Sequence, residues 1–271
     1  MAEGRLQGKV AFVTGAARGQ GRAHAVRLAR EGADIIACDI CADFATTEYP
    51  GSTPDDLAET VALVEKEDRR IVARQADVRD FDALRSLVDD GVAELGRLDV
   101  VVANAGIDGA KWSWELTSEE WDDVIGVNLK GVWQTVKAVV PTLIRQGTGG
   151  SIILTSSTAG RKGLPFKAHY AAAKHGVVGL CRVFAAELGE YDIRVNTIHP
   201  AGVDTLMVSY PHQQELIDSK AATLGPLFMN TLPHMFMQPD DVAGVVAFLA
   251  SDESRFMTGS QLVVDMGNTA R

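Results

Sequence analysis

The chain is expected to fold as an α/β protein, a doubly wound parallel sheet with helices on both faces. Three observations predict this. Strand-length apolar runs alternate with amphipathic helical stretches almost to the end of the 271 residues. The runs are continuous in Val, Ile and Leu, the pattern of strands buried on both faces of a sheet. The first run leads through a Gly-rich turn straight into a helix, as the opening βα unit of such a sheet does.

The elements follow in order. Val10–Thr14 reads as a strand, and the helix after it runs to about Arg30. Asp34–Asp39 is the next strand, residues 54–68 are helical, Ile71–Ala76 is extended and 80–95 is helical. Leu98–Ala103 is a buried strand, 118–146 a long helix with a possible break, and Ser151–Ser156 a strand. Residues 168–189 form a helix, Ile193–Ile198 a strand, 239–250 a helix and Gln261–Val264 a last short strand. With no internal repeat and no linker, residues 1–271 are expected to form one domain. Two segments depart from the alternation. Residues 41–53 make a long loop directly after the second strand. Residues 203–238 hold no clear strand but many large apolar side chains, including Met207, Phe228, Met229, Leu232 and Phe236. Long loops in compact domains are usually functional, and an apolar one near strand ends suits a lid of about 203–238.

Composition excludes several classes. A net charge of −10 argues against nucleic acid or an anionic membrane as the main partner. No apolar run approaches a membrane span, and the first residues lack the apolar core of a signal peptide. Three Cys imply no disulfide framework, so a reducing, cytoplasmic setting is expected. Cys38 and Cys41 form a C-x-x-C, but zinc would need two further ligands and a redox dithiol should open a helix, whereas Cys38 sits inside a strand. No metal is expected.

Chemistry begins at Thr14-Gly15-Ala-Ala-Arg18-Gly19-Gln20-Gly21. Glycines allow the tight turn and the close approach of a pyrophosphate, and the following helix points free N–H groups at it. Asp39 ends the second strand, where a carboxylate accepts hydrogen bonds from the adenosine ribose and repels a 2′-phosphate. That favours NAD over NADP, although Arg18 in the turn could bind such a phosphate. Further along, Ser157, Tyr170 and Lys174 read Ser-(12 residues)-Tyr-Ala-Ala-Ala-Lys. Tyr and Lys four apart share a helix face. An ammonium there favours the phenolate of a side chain that ordinarily titrates near pH ~10, making a candidate acid/base for an alcohol oxygen.

At these residues the chain resembles the short-chain dehydrogenase/reductase family over nearly its whole length, which implies a Rossmann-type fold and hydride transfer between NAD and a hydroxyl or carbonyl group. Gly15, Gly19 and Gly21 match its cofactor loop, with Arg18 and Gln20 between them. Asp77-Val78 matches its adenine pair and Asn104-Ala105-Gly106 its strand-end motif beside the cofactor. Asn128, Ser157, Tyr170 and Lys174 match its catalytic tetrad, and Pro200 to Thr205, with Val203, its nicotinamide segment. The resemblance gives Lys174 a second partner in the nicotinamide ribose and gives Asn128 a water that links Lys174 to solvent. Two motifs depart: Pro200-Ala201 stands for Pro-Gly, and Val264-Asp265-Met266-Gly267 for Val-Asp-Gly-Gly. The insertion at 41–53, between Asp39-Ile-Cys and Arg70-Ile-Val-Ala-Arg-Gln, resembles a narrower branch, the mycofactocin-coupled dehydrogenases, which include carveol dehydrogenases. This implies a secondary, apolar or terpenoid-like alcohol and an NAD that stays bound beneath the insertion, reoxidised by mycofactocin. An ordinary enzyme with exchangeable NAD, acting on an alcohol or steroid, is the alternative. A regulator that senses NAD without chemistry would not need the tetrad. The family usually dimerises through the helices at 118–146 and 168–189, and a homotetramer is expected.

Other features have plainer readings. His169 and His175 lie off the Tyr170–Lys174 face and read as structural or exposed. Trp112, Trp114, Trp121 and Trp133 read as core, with Trp112 and Trp114 also placed to border a substrate pocket. The apolar content of 206–237 suits an apolar substrate or a second subunit equally.

Overall fold

In the computed structural model, which describes residues 4–208 and 210–270, the strands are β1 (Val10–Thr14), β2 (Asp34–Asp39), β3 (Ile71–Gln75), β4 (Val100–Ala103), β5 (Gly150–Thr155), β6 (Ile193–Pro200) and β7 (Gln261–Val264). They pair in parallel in the order β3-β2-β1-β4-β5-β6-β7. The chain order reverses between β1 and β4, and a crevice opens there outside the carboxyl ends of the strands, where ligands of open α/β sheets bind.

Successive residues of each strand face opposite sides. Phe12, Ile36, Val101 and Ile152 pack on one face with α3 (Phe81–Leu95), α5 (Val132–Gln146) and α6 (Ala168–Leu188). Ala11, Ile35, Val100 and Ile153 pack on the other with α1 (Gly19–Arg30) and α8 (Pro239–Ala250). Both faces are covered, as the continuous apolar runs predict.

Local chemistry sets the helix ends. Thr53 caps α2 (Pro54–Glu65): its hydroxyl accepts from Asp56 N–H, the Asp56 carboxylate answers the Thr53 N–H, and Pro54 opens the first turn. This reciprocal cap also terminates segment 41–53. Asp80 caps α3 through Ala83 N–H at 3.0 Å. The helix expected over 54–68 stops at Glu65. The stretch 118–146 is α4 (Ser118–Ile125), a six-residue π-helical turn Gly126–Gly131, and α5, so the possible break is a widening of the helix rather than an interruption. Segment 203–238 has no strand among its described residues but does carry a helix, α7 (Pro211–Ser219), which no apolar periodicity announces.

The four tryptophans correct the core reading: Trp114 is 76% exposed, Trp121 and Trp133 are also exposed, and Trp112 is only half-buried. Trp112 stacks on Trp114 and meets Phe166 edge-on, each at 4.8 Å between centroids. Neither lines the crevice. Cys38 and Cys41 are buried free thiols, and the described residues contain no metal-ligating cluster. No helix among the described residues is long and apolar enough to cross a membrane.

Candidate active site

The crevice is a cleft of about 920 Å³. Its phosphate end is built by close backbone approach. Gly15 has φ +67°, and a Cβ there would lie 2.7 Å from Ala105 Cα; one on Gly21 would lie 1.8 Å from Gly15 O. Neither position admits a side chain without moving backbone. Thr14 Oγ1 accepts from the N–H groups of Asn104 and Ala105, each at 3.1 Å, while Asn104 Nδ2 donates to the Thr14 and Gly15 carbonyls. The strand-end motif thus braces the glycine turn. Arg18 precedes α1 without a side-chain cap bond, and the first turn carries no acid, so that helix end keeps its positive character toward the cleft.

Asp39 is buried at the adenosine end. Its Oδ2 accepts from Ala17 N–H at 2.9 Å, and its Oδ1 from Cys41 N–H at 3.2 Å and from the Ser52 hydroxyl. The Arg18 guanidinium donates to the carbonyls of Pro50 and Gly51. Two of its five donors are therefore engaged by segment 41–53. The segment closes on itself, with Gly51 N–H donating to Asp43 Oδ1 at 2.6 Å. It then runs along the cleft. Phe44 lies under Arg79, whose guanidinium carbon is 4.7 Å from the ring centroid and which holds the Asp77 carboxylate at 2.7 Å. Thr46 donates to Asp123 at 2.7 Å, and the Tyr49 hydroxyl accepts from Asp108 N–H at 2.9 Å. Val78, next to Asp77, is fixed through its carbonyl by Gln134 Nε2 at 2.8 Å.

At the other end, α6 presents Tyr170 and Lys174. Lys174 Nζ donates to Thr155 O at 2.8 Å and lies 5.4 Å from the centre of the Tyr170 ring. Burial lowers the Lys174 ammonium to about 8. Burial and then the Asp108 charge push the Tyr170 phenol up, and the Ser157 hydroxyl beside it pulls the other way. Among the side chains, loss of water around the phenol therefore dominates, against the lowering expected from the Tyr–Lys spacing. Ser157 Oγ accepts from Ala159 N–H at 3.2 Å. His199 Nδ1 donates to Ser157 O at 2.8 Å and its Nε2 accepts from the Thr197 hydroxyl at 2.9 Å, and burial holds it down at about 4, so it braces the Ser157 backbone as a neutral group. Asn128 is fully buried in the π-helical turn. Its Oδ1 accepts from Ile107 N–H at 2.8 Å and its Nδ2 donates to Ile107 O at 2.7 Å. Its side chain clamps the strand-end loop.

The cleft is lined by Gly15, Arg18, Gly19, Gln20, Gly21, Asp39, Asp77, Val78, Asn104, Ala105, Gly106, Ser157, Tyr170, Lys174, Pro200, Val203 and Thr205, so every expected residue but Asn128 reaches it. A Cβ on Gly19 would stand 3.2 Å from Thr205 Cγ2, which brings the glycine turn against the Pro200–Thr205 segment. Met207, Phe228, Met229, Leu232, Met235 and Phe236 add an apolar wall. His169 is buried and His175 exposed, neither as a relay. Met266, where the family pattern has Gly, takes φ +53°, and its carbonyl accepts from Thr231 and Leu232 N–H, each at 2.9 Å, fixing the base of segment 203–238. Phe44, Tyr49, Ser52, Asp108 and Lys167 were not singled out as site residues. The only signal for the first three was the length of the insertion. A dinucleotide fits this cleft on its own evidence: a phosphate turn whose Gly15 and Gly21 admit no Cβ, a buried carboxylate for ribose hydroxyls, and the buried Gln20 Oε1 and Thr155 Oγ1, which have no partner among the described residues.

A glycine turn answered by a strand-end acid, facing a Ser–Tyr–Lys group across one cleft, defines a nicotinamide-dependent oxidoreductase. A family model described as enoyl-(acyl carrier protein) reductase matches residues 15–269, and the chain belongs to the short-chain dehydrogenase/reductase family, as an NAD-dependent enzyme acting on CH–OH groups. It is 56% identical to a putative short-chain type dehydrogenase/reductase of Mycolicibacterium smegmatis, over 98% of both chains. It is 42% identical to (-)-trans-carveol dehydrogenase of Rhodococcus erythropolis, over 98% of this chain and 99% of that one. The crystal structure of carveol dehydrogenase from Mycobacterium avium in complex with NAD superposes with a TM-score of 0.94 at 53% identity, covering 99% of this chain and all of that one.

Proposed function

We propose that the protein oxidises a secondary, apolar, terpenoid-like alcohol to its ketone with an NAD that stays bound through successive turnovers and is reoxidised in place by mycofactocin. One observation carries the retained cofactor: segment 41–53 is tied at both ends of the cleft. Ser52 and the Pro50 and Gly51 carbonyls hold it at Asp39 and Arg18, and Tyr49 holds it at Asp108, beside the reaction end. An exchangeable cofactor needs one of these ends to open. The Met- and Phe-rich wall, and the likeness to carveol dehydrogenases, support the substrate class.

Bound NAD supplies the hydride acceptor and, when oxidised, a positive charge at the nicotinamide. The protein supplies the rest. Ser157 holds the substrate oxygen, and Tyr170 takes its proton. Lys174 fixes the nicotinamide ribose, with its ammonium anchored by Thr155 O at 2.8 Å. Asn128 holds Ile107 so that Gly106 stays clear: a Cβ there would crowd Asn128 Oδ1 at 3.4 Å. Asp39 takes the adenosine ribose, and the glycine turn takes the pyrophosphate. Val183, exposed on α6, and Trp133, exposed on α5, fit the helix pairing of a homotetramer.

The test is NADH formed per subunit with excess free NAD and carveol. A stop near one per subunit, relieved by an artificial electron acceptor, is expected; many turnovers without an acceptor would mean an ordinary exchangeable-NAD dehydrogenase, and none in a single turnover a sensor. Replacing residues 43–51 by a short Gly linker is expected to convert the first behaviour to the second. Unchanged stoichiometry after trimming would mean that the segment does not retain the cofactor.

A further inference from the structure

Lys167 is buried, yet it stands outside the catalytic group. Its Nζ donates to Asp108 Oδ2 at 2.6 Å, to the Tyr210 hydroxyl at 3.2 Å and to Gln213 Oε1. Asp108 belongs to the loop after β4, whereas Tyr210 and Gln213 belong to segment 203–238, at and within α7. Asp108 is held from its other side as well, since its N–H donates to the Tyr49 hydroxyl of segment 41–53. The ion pair, with side chains only 6% and 7% exposed, thus holds segment 203–238 through Lys167, while the backbone N–H of its Asp108 holds segment 41–53. The segments also touch each other. The rings of Tyr49 and Tyr210 lie 5.7 Å apart, and at the rim Glu48 Oε1 is 3.9 Å from His212 Nε2. Toward the far end of the cleft, segment 41–53 is fastened to Asp39, Arg18, Arg79 and Asp123, none of which belongs to segment 203–238.

We infer that Lys167 and Asp108 are positioning residues that make segments 41–53 and 203–238 open and close as one body, so that retention of the cofactor depends on side chains of the substrate lid. This rests on the retained-cofactor reading only in that the cover is what holds NAD. The physical reason is the cost of parting a buried pair. When α7 swings out it must take Tyr210 and Gln213 from a desolvated ammonium, and each lost partner leaves that charge less compensated. The same displacement withdraws the Tyr210 ring from Tyr49, whose hydroxyl is the reaction-end fastening of the cover. Lys167 is three residues ahead of Tyr170, and Asp108 two beyond Gly106. The latch therefore sits at the reaction end, and its release loosens the nicotinamide side of the cleft before the adenosine side.

The discriminating variant is Tyr210→Phe. It removes one hydroxyl, keeps the ring against Tyr49, and alters a residue that does not line the cleft. NAD release is read by chasing the protein-bound nucleotide with excess isotopically labelled NAD and weighing what remains bound. Release is expected to be about tenfold faster, the scale of one hydrogen bond to a charged group, together with a raised KM. The double variant Lys167→Met with Asp108→Leu removes both charges and leaves no lone buried ion, so it is expected to fold and to release NAD faster still. Unchanged release in both variants, with or without a raised KM, would overturn the coupling and leave two independent flaps. Rapid release from the unaltered protein would instead overturn the retained-cofactor reading; the ratio of variant to parent still reports the coupling.

Discussion

Tyr170→Phe is expected to lower turnover by about a thousandfold or more while the protein still binds NAD. General acid/base groups contribute roughly 10²–10⁴-fold. The variant loses a single oxygen. The ring stays packed against the apolar cluster that includes Val177 and Leu154. Lys174 keeps its bond to Thr155 O. The phosphate turn and Asp39 are untouched, so NAD titration should give a Kd within a few-fold of the parent. Loss of NAD binding together with activity would mean that the phenol shapes the cofactor site instead of moving a proton, and retained turnover would move the acid/base elsewhere. The direction of the phenol's shift matters here. Burial keeps Tyr170 protonated at neutral pH, which suits donation to a ketone. Alcohol oxidation draws on the minority phenolate, favoured by the charge of the oxidised cofactor.

Asp39→Ala is expected to weaken NAD binding about 100-fold, since hydrogen bonds to a charged acceptor contribute roughly 1.5–3 kcal/mol each. It also strips the acceptor from three donors: Ala17 N–H, Cys41 N–H and the Ser52 hydroxyl. Buried donors left unpaired cost about 1–3 kcal/mol apiece, so a lower melting temperature should accompany the loss. NADP is not expected to bind better, because Arg18 is engaged by the Pro50 and Gly51 carbonyls. Isothermal titration with both nucleotides checks this. A gain in NADP affinity would show that Arg18 leaves those carbonyls readily, and an unchanged NAD affinity would remove Asp39 from the ribose site.

The parts of the site legible in the sequence are those whose chemistry depends on short spacing. The glycine turn, the acid at the end of β2 and the Tyr170–Lys174 helix face each lie within one βα unit or one helical turn. Strand limits were readable because burial on both faces demands unbroken apolar runs. What escaped depends on residues far apart in the chain. Tyr49 meets Asp108, and Lys167 meets Asp108 and Tyr210, only after the sheet has brought their loops together. Helix α7 has no buried residue, so it leaves no apolar stripe to read. The tryptophans misled because size alone was taken for burial, when three of them stand on exposed faces. Spacing also reports the charge of Lys174 near Tyr170 but not the loss of water around the phenol.

The π-helical turn at Gly126–Gly131 has a consequence for comparing or redesigning chains of this kind. A π turn is an α-helix that has absorbed a residue while its two flanks keep their alignment. The turn carries Asn128, whose side chain clamps Ile107. An alignment that closes a one-residue gap there to tidy the helix would preserve the architecture on paper and shift Asn128 out of register with the loop it clamps. Helix length along this stretch is a record of chemistry, and a relative that lacks the extra residue has the same scaffold with a different way of holding its strand-end loop.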